Sequence, residues 1–268
     1  MNKLEVLKKH FGHDHFREGQ SEIIDALVAG QDALGIMPTG SGKSICYQVP
    51  ALMRPGIALV VSPLISLMKD QVMALKASGI PAAYINSSLT PGQQQEAIRR
   101  AARGMYKIIY VAPERLEVPQ FQSFAAQAEL SLIAVDEAHC VSQWGHDFRP
   151  SYLKIAHFIS TLPKRPPVCA FTATATRQVR DDILQMLALQ NPLKVSTGYN
   201  RPNLHFSSVK PTNKLGFLYE YLKGLGDQCG IIYCSTRKNV ENVCDKLQLL
   251  GFSVTRYHAG LSDTERQQ

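Results

Sequence analysis

Nowhere in this 268-residue chain do about 18 apolar positions run together, the length a membrane-crossing helix needs. The start, Met1 to Lys9, is charged and amphipathic and lacks the apolar stretch of a secretory signal. The expectation is a cytoplasmic protein, not secreted and without a membrane partner. The six cysteines, Cys46, Cys140, Cys169, Cys229, Cys234 and Cys244, never fall in C-x-x-C spacing and sit mostly inside apolar runs. No disulfide framework or zinc site is visible, which leaves reduced core residues. Low-complexity tracts and blocks of like charge are missing too. With 45% hydrophobic and 19% charged residues, the chain reads as an ordinary folded protein of one to two domains. Tryptophan occurs once, as Trp144. The formal charge of +7 fits a polyanionic partner without demanding one.

What is present is organised around Met37-Pro38-Thr39-Gly40-Ser41-Gly42-Lys43-Ser44. The apolar run Ala33 to Ile36 leads into it and a helical pattern begins near Lys43, so strand, glycine-containing loop and helix start follow in order. Such a loop turns backbone N–H groups inward on a phosphate, and the helix N-terminus adds positive partial charge. Lys43 supplies a cation and Ser44 a magnesium-ligating hydroxyl. Met37 stands five residues before Gly42, where the general phosphate-loop pattern has glycine. Upstream, a Gln20 amide could pair with both edges of adenine while Arg17, after Phe16, stacks or clamps. The plainer reading of those residues is a polar helix start. The histidines between His10 and His15 match no ligand spacing and read as solvated loop residues.

Residues 1 to 30 show two helical patterns, Leu4, Leu7 and Phe11, then Ile23, Ile24, Leu27 and Val28, the second stopped by Gly30. Short apolar runs rich in β-branched or aromatic residues recur at Ile57 to Val61, Ile108 to Val111, Leu132 to Val135, Val168 to Phe171 and Ile231 to Cys234. Helical patterns separate them, such as the one Thr90-Pro91 opens. This alternation predicts an α/β fold with a buried parallel sheet and helices on both faces. Ligands in such sheets bind beyond the carboxyl ends of the strands. There fall Ser62-Pro63-Leu64, Ala112-Pro113-Glu114-Arg115, Asp136-Glu137-Ala138-His139 and Thr172-Ala173-Thr174-Ala175.

Asp136 and Glu137 follow an apolar strand, which suits Asp136 to hold Mg2+, directly or through water, and Glu137 to orient and deprotonate an attacking water. With Lys43 and Ser44 they are the parts that phosphoryl transfer needs; alone they would read as a helix cap. In the loop that follows, Trp144 and Phe148 offer planar faces for unstacked bases and Arg149 a cation for phosphate, with His139 and His146 near Glu137 in sequence. Two other readings compete: a tryptophan packed at the sheet edge, and zinc held by His139, Cys140, His146 and Asp147, which an adjacent His and Cys make awkward.

Taken in order, Phe16-Arg17-x-Gly19-Gln20, Thr39 to Ser44, Ser62-Pro63-Leu64-Ile65-Ser66-Leu67-Met68-x-Asp70-Gln71, Asp136 through Pro150, Thr172 to Ala175 and Asn200-Arg201-Pro202-Asn203-Leu204 resemble RecQ-type DNA helicases of superfamily 2. The resemblance covers essentially the whole chain. It implies a P-loop NTPase of RecA-like fold that uses ATP with Mg2+, the nucleotide lying against Arg17, Gln20 and residues Met37 to Ser44. It implies 3′-to-5′ DNA helicase activity, with His139, Trp144, His146, Phe148, Arg149, Thr172 and Thr174 coupling DNA contact to hydrolysis. Single-stranded and forked DNA are the implied substrates, in DNA repair and recombination, with single-strand-binding or recombination proteins as partners. An RNA helicase would share Asp-Glu-Ala-His but leaves the Trp144 to Arg149 loop unaccounted for.

Residues 1–205 accordingly read as a first RecA-like ATP-binding domain and 206–268 as an incomplete second one. There a helix (Leu215, Leu218, Tyr219, Leu222), a strand (Gly230 to Cys234), a helix (Val240, Val243, Cys244, Leu247) and a strand (Ser253 to Tyr257) are expected. Ser235 to Lys238 and Tyr257 to Leu261 are similar to second-domain motifs, and Ser262-Asp263-Thr264-Glu265 matches a capping box. The reading is a truncated helicase, with the arginine that completes the family's ATP site expected after residue 268. Such a polypeptide is expected to bind ATP and DNA but to hydrolyse ATP poorly, the alternative being a non-catalytic, ATP-responsive DNA-binding fragment.

Overall fold

Short apolar runs pair into a parallel sheet in the computed structural model, which describes residues 1–198 and 203–267. Asn200, Arg201 and Pro202 of the last motif lie outside the described residues. The strands are β1 (Ala33–Ile36), β2 (Ile57–Val61), β3 (Ala82–Ile85), β4 (Ile108–Val111), β5 (Leu130–Val135), β6 (Val168–Thr172) and β7 (Leu193–Ser196). Their order is β3-β4-β2-β5-β6-β1-β7, every pairing parallel. β1, β2, β4 and β6 are buried along their whole length, as a sheet covered on both faces requires. β3 and β7 escape the sequence pattern: β3 begins with two alanines, and β7 alternates half-buried and exposed residues at the sheet edge.

Eight helices among the described residues cover this sheet: α1 (Lys3–Phe11), α2 (Gln20–Val28), α3 (Lys43–Met53), α4 (Ile65–Ala77), α5 (Pro91–Ala102), α6 (Pro119–Gln127), α7 (Ile155–Thr161) and α8 (Arg177–Met186). Capping boxes start α1 at Asn2 with Glu5 and α5 at Thr90 with Gln93, where side chains take up orphan N–H groups. Period-two alternation splits the core between the faces: Ile133 and Val135 pack with Leu34, Leu59 and Phe158, whereas Leu132 and Ala134 pack with Tyr47, Val60 and Phe171.

By its contacts the chain divides into Met1–Asn200 and Arg201–Gln268. The second unit holds α9 (Lys214–Leu225), α10 (Arg237–Leu249) and α11 (Asp263–Gln267). The strands expected at Gly230 to Cys234 and Ser253 to Tyr257 are not formed. Residues of both segments line one cavity with Val240, Val243, Cys244 and Leu247 of α10, but they make no ladder hydrogen bonds among the described residues. Ile231 and Tyr233 stay 80% and 91% exposed. The apolar runs are present, but an extended run becomes a strand only when a neighbour takes up its backbone groups.

Asp32, 2% exposed, ties the amino ends of three strands together. It accepts from Arg165 Nη1 at 3.0 Å and Nη2 at 2.6 Å, and from the N–H groups of Val168 at 2.8 Å and Gln190 at 2.7 Å. Asp32→Ala would strand a guanidinium and two N–H groups. It should lower the unfolding free energy by about 3 kcal/mol, and Asp32→Asn by less, as read by urea denaturation.

Candidate active site

The phosphate loop leaves β1 with its first peptide still in the ladder, the Met37 N–H donating to the Thr172 carbonyl at 3.0 Å. Gly40 and Gly42 sit at φ 83° and 82°, left-handed positions that favour glycine. Met37 is not among the positive-φ residues, which is why it can stand where the general pattern has glycine. Its side chain is buried in the core, so it faces a nucleotide with backbone only, and its carbonyl accepts from Lys43 Nζ at 3.3 Å. Arg17 Nη1 donates to the Gly40 carbonyl. Gln20, 3% exposed, donates from Nε2 to the carbonyls of Ser41 at 3.1 Å and Gly42 at 3.0 Å, while Oε1 accepts the Arg17 N–H at 2.9 Å. Both donors of the expected adenine-reading amide therefore hold the loop, and one acceptor site on Oε1 remains. Gly12, His13, His15, Arg17, Gln20 and Ile45 line a neighbouring pocket.

Facing the loop across a cleft of about 350 Å³ are Asp136 and Glu137, with Thr39, Gly40, Lys43 and Ser44 on the opposite side. Asp136 continues β5, its N–H donating to the Val61 carbonyl at 2.8 Å. Glu137 then turns left-handed, φ 47° and ψ 47°, and the chain enters a 3-10 turn over Ala138–Val141. Burial, then the charge of Glu137, pushes the Asp136 carboxyl up to about 6, with Lys43 pulling the other way. The Ser44 hydroxyl and Asp136 carboxylate are hard oxygen donors on one cleft, a set that fits Mg2+ completed by phosphate and water. Beneath them lies a buried network that sequence reading missed: Tyr47 and Tyr110 hydroxyls 3.2 Å apart, with Gln48 and Gln71 amides bonded to Tyr110. A tyrosine within a β4 that is otherwise aliphatic was the available signal.

Beyond Glu137 the expected coupling residues divide. His139, 4% exposed, donates from Nδ1 to Thr172 Oγ1 at 3.0 Å and lies 3.3 Å from Glu137 Oε2. The Thr172 hydroxyl gives its own proton to the Thr174 carbonyl at 3.0 Å, which fixes the His139 tautomer with hydrogen on Nδ1. The His146 ring stacks on that of His139 at 3.9 Å. Trp144 is 75% exposed, so it does not pack at the sheet edge, and Phe148 is half-buried. Arg149 is already engaged: Nε and Nη2 donate to Asp147 Oδ2 at 3.0 and 2.8 Å, and Nη1 donates to the Pro63 carbonyl at 3.0 Å. It ties the loop to the end of β2. Gly145 is required sterically, since a Cβ there would sit 2.4 Å from the His139 carbonyl oxygen.

Residues 17–182 match the family model of the DEAD/DEAH box helicases, a span that holds the phosphate loop, the Asp-Glu pair and the His139–Thr172 contact. The chain belongs to the DEAD/DEAH box helicase family. Among relatives, it is 45% identical over 265 residues to the ATP-dependent DNA helicase RecQ of Pasteurella multocida, covering 99% of this chain and 42% of that protein. Against the ATP-dependent DNA helicase RecQ of Bacillus subtilis it is 46% identical over 264 residues, covering 98% and 45%. This chain thus spans less than half the length of these curated relatives. The same helicase fold appears in the Pyrococcus furiosus Hef helicase domain, with TM-score 0.56 at 21% identity over 93% of this chain and 54% of that one. It appears again in Mycobacterium smegmatis helicase Lhr, with TM-score 0.69 at 17% identity over 98% and 39%.

The environment of His139 fixes a pH response for this helicase domain. Burial first, then the His146 ring, hold His139 below its ordinary value of 6.5, while Glu137 and Asp147 pull it up. A depressed folded-state value means that protonation favours the unfolded chain. Its contribution to stability is therefore intact above 6.5 and is lost as pH falls through the lowered value. Imidazole NMR titration should show His139 protonating below its ordinary value of 6.5, lower still in Glu137→Gln and higher in His146→Ala.

Proposed function

We propose that this chain carries the ATP-hydrolysing motor of a RecQ-type, 3′-to-5′ DNA helicase, in which DNA contact at the Trp144 loop is relayed to Glu137. The observation that carries the reading is the unbroken path from Glu137 Oε2 to His139 Nδ1 at 3.3 Å, then by ring stacking at 3.9 Å to His146, two residues from exposed Trp144. The names of the RecQ relatives support DNA and ATP as ligands.

In this reading adenine lies in the pocket of Arg17 and Gln20, and the phosphates lie on the N–H groups of Thr39 to Ser44. Lys43 exchanges the Met37 carbonyl for phosphate oxygen. Ser44 and Asp136 would hold magnesium, which neutralises phosphate charge when bound. Glu137 orients a water in line and takes its proton as the water oxygen bonds to the γ-phosphorus, and the bond to the β-phosphate oxygen breaks. Single-stranded bases stack on Trp144 and Phe148, and Thr172 and Thr174 hold His139 in the tautomer that senses the shift. Arg149 reaches DNA phosphate only by exchanging Asp147, so its present bonds support a role in holding the loop.

The assignment of residues 1–205 and 206–268 to a first and a partial second motor domain is supported by the division between Asn200 and Arg201. Slow turnover by these 268 residues alone follows from the RecQ resemblance, in which an arginine of the second motor domain completes the ATP site. Single-stranded and forked DNA are the proposed substrates, in cytoplasmic DNA repair and recombination, with single-strand-binding or recombination proteins as partners.

The test is ATP binding and hydrolysis by the purified chain, with and without single-stranded DNA and with RNA as competitor. ATP should bind, turnover should be slow, and DNA should outcompete RNA. Glu137→Gln should keep ATP affinity while lowering residual hydrolysis about 100-fold, and Lys43→Ala should weaken ATP binding about tenfold. Fast DNA-stimulated turnover removed by Glu137→Gln would overturn the slow-turnover reading; an unaltered ATP affinity in Lys43→Ala would overturn the site.

A further inference from the structure

We infer that Ser142 and Asp182 form the anchor about which the Trp144 loop is held, and that both are positioning residues for its DNA response. Ser142 lies inside the Asp136 to Pro150 stretch, where it carries no assigned role, and Asp182 lies outside every stretch on which the resemblance rests. Asp182 lies on the inner side of α8 at 8% exposure, and Ser142 is fully buried. The Ser142 hydroxyl donates to Asp182 Oδ2 at 2.5 Å, and Ser142 Oγ itself accepts the Trp144 N–H at 3.1 Å. The other carboxylate oxygen takes Gln178 Nε2 at 3.0 Å. No cation lies within ion-pairing distance of Asp182 among the described residues.

A carboxylate buried without a cation is an unfavourable way to fill a core, because its desolvation is offset by hydrogen bonds alone. What those bonds do hold is one point of the loop. The segment from Glu137 to Trp144 is joined to the segment from Thr172 to Asp182 twice, at His139 to Thr172 Oγ1 and at Ser142 to Asp182. Between the two clasps lies the 3-10 turn Ala138–Val141, and just beyond the second the Gly145 N–H donates to the Ser142 carbonyl at 3.0 Å. Gly145 packs against the His139 carbonyl, and His146 stacks on the His139 ring. With Ser142 fixed, displacement of Trp144 pivots the Gly145–His146 peptide and moves His146 across His139. With Ser142 released, Trp144 swings without moving His146.

The DNA part of this inference rests on the DNA-contact reading above; the anchoring part does not. Trp144 is the chain's sole tryptophan, so intrinsic fluorescence reports this loop without labelling. Time-resolved anisotropy of Trp144 in the free 268-residue chain should show the amplitude of fast local motion rising about twofold in Ser142→Ala and Asp182→Ala. Asp182→Asn keeps an oxygen acceptor and should fall between them and the parent, and the double variant should move no further than either single one. A labelled oligothymidylate strand should bind all variants within about threefold of the parent, because the stacking faces remain. The DNA-induced change in affinity for a fluorescent ATP analogue, about tenfold in the parent, should shrink to within about twofold.

Unchanged Trp144 motion in Ser142→Ala and Asp182→Asn, or additive effects in the double variant, would overturn the anchor. If Asp182→Ala does not fold, the other two variants decide. If the parent binds no oligothymidylate, the DNA-contact reading fails, while the motion of Trp144 in the free chain still decides whether the anchor exists.

Discussion

One parallel ladder, β6 between β1 and β5, fixes the distances on which the site depends. Ile36 registers with Thr172 and Val135 with Ala170, so the strands that deliver the phosphate loop and the acidic pair are both measured against the same central strand. The ladder runs one peptide past β1, where the Met37 N–H meets the Thr172 carbonyl. Thr172 thus carries two duties, its carbonyl closing the sheet under the loop and its hydroxyl taking His139. A slip of one residue in β6 would reverse every side chain on it. Thr172 would turn away from His139 and Phe171 would leave Tyr47. The buried aliphatic core of both faces is therefore what holds the catalytic geometry, because it forbids that slip.

Residues whose chemistry follows from their place at a strand end were legible in the sequence, since near-continuous apolar runs advertise where such strands stop. Lys43, Ser44, Asp136 and Glu137 share one cleft for that reason. Where a side chain's role depends on who else arrives, the sequence was silent. Gln20 and Arg149 were recognised as polar heads pointing at ligands, yet both are bonded within the fold, because carbonyls of the phosphate loop and of Pro63 come within reach only after folding. The Tyr47, Tyr110, Gln48 and Gln71 network needs α3, β4 and α4 together, and no window along the chain contains all three. In the second unit the apolar pattern located the right segments but not their state, because strand identity belongs to a pair rather than to a run.

A common thread joins three cations at the strand ends. Arg17, Lys43 and Arg149 all donate to main-chain carbonyls, of Gly40, Met37 and Pro63. Binding of a phosphate is then an exchange of one acceptor for another, and its yield is the difference between a charged and a neutral acceptor rather than a whole hydrogen bond. The arrangement keeps three flexible cations ordered without a ligand, so less side-chain entropy remains to be lost when one arrives. It also means that the phosphate loop is held in shape by two of these cations, Arg17 and Lys43.

Glu137 shows what the site asks of the backbone. Its left-handed conformation carries roughly 1 kcal/mol of strain for a residue with a Cβ. Glycine at 137 would relieve that strain, but glycine has no carboxylate. The local bonds oppose relaxation: the Glu137 N–H donates to Asp136 Oδ1 at 3.0 Å, the Cys140 N–H donates to the Glu137 carbonyl at 2.9 Å, and the Tyr152 hydroxyl holds the Asp136 carbonyl at 2.9 Å. The abrupt turn ends the strand at once, so the two neighbouring acids are not placed as successive strand residues on opposite faces. Asp136 stays at the sheet rim beside the phosphate loop while Glu137 is carried within reach of His139. A straighter backbone would preserve either the cleft or the histidine contact but not both, and that conflict is why a strained glutamate, rather than a relaxed one, occupies the junction.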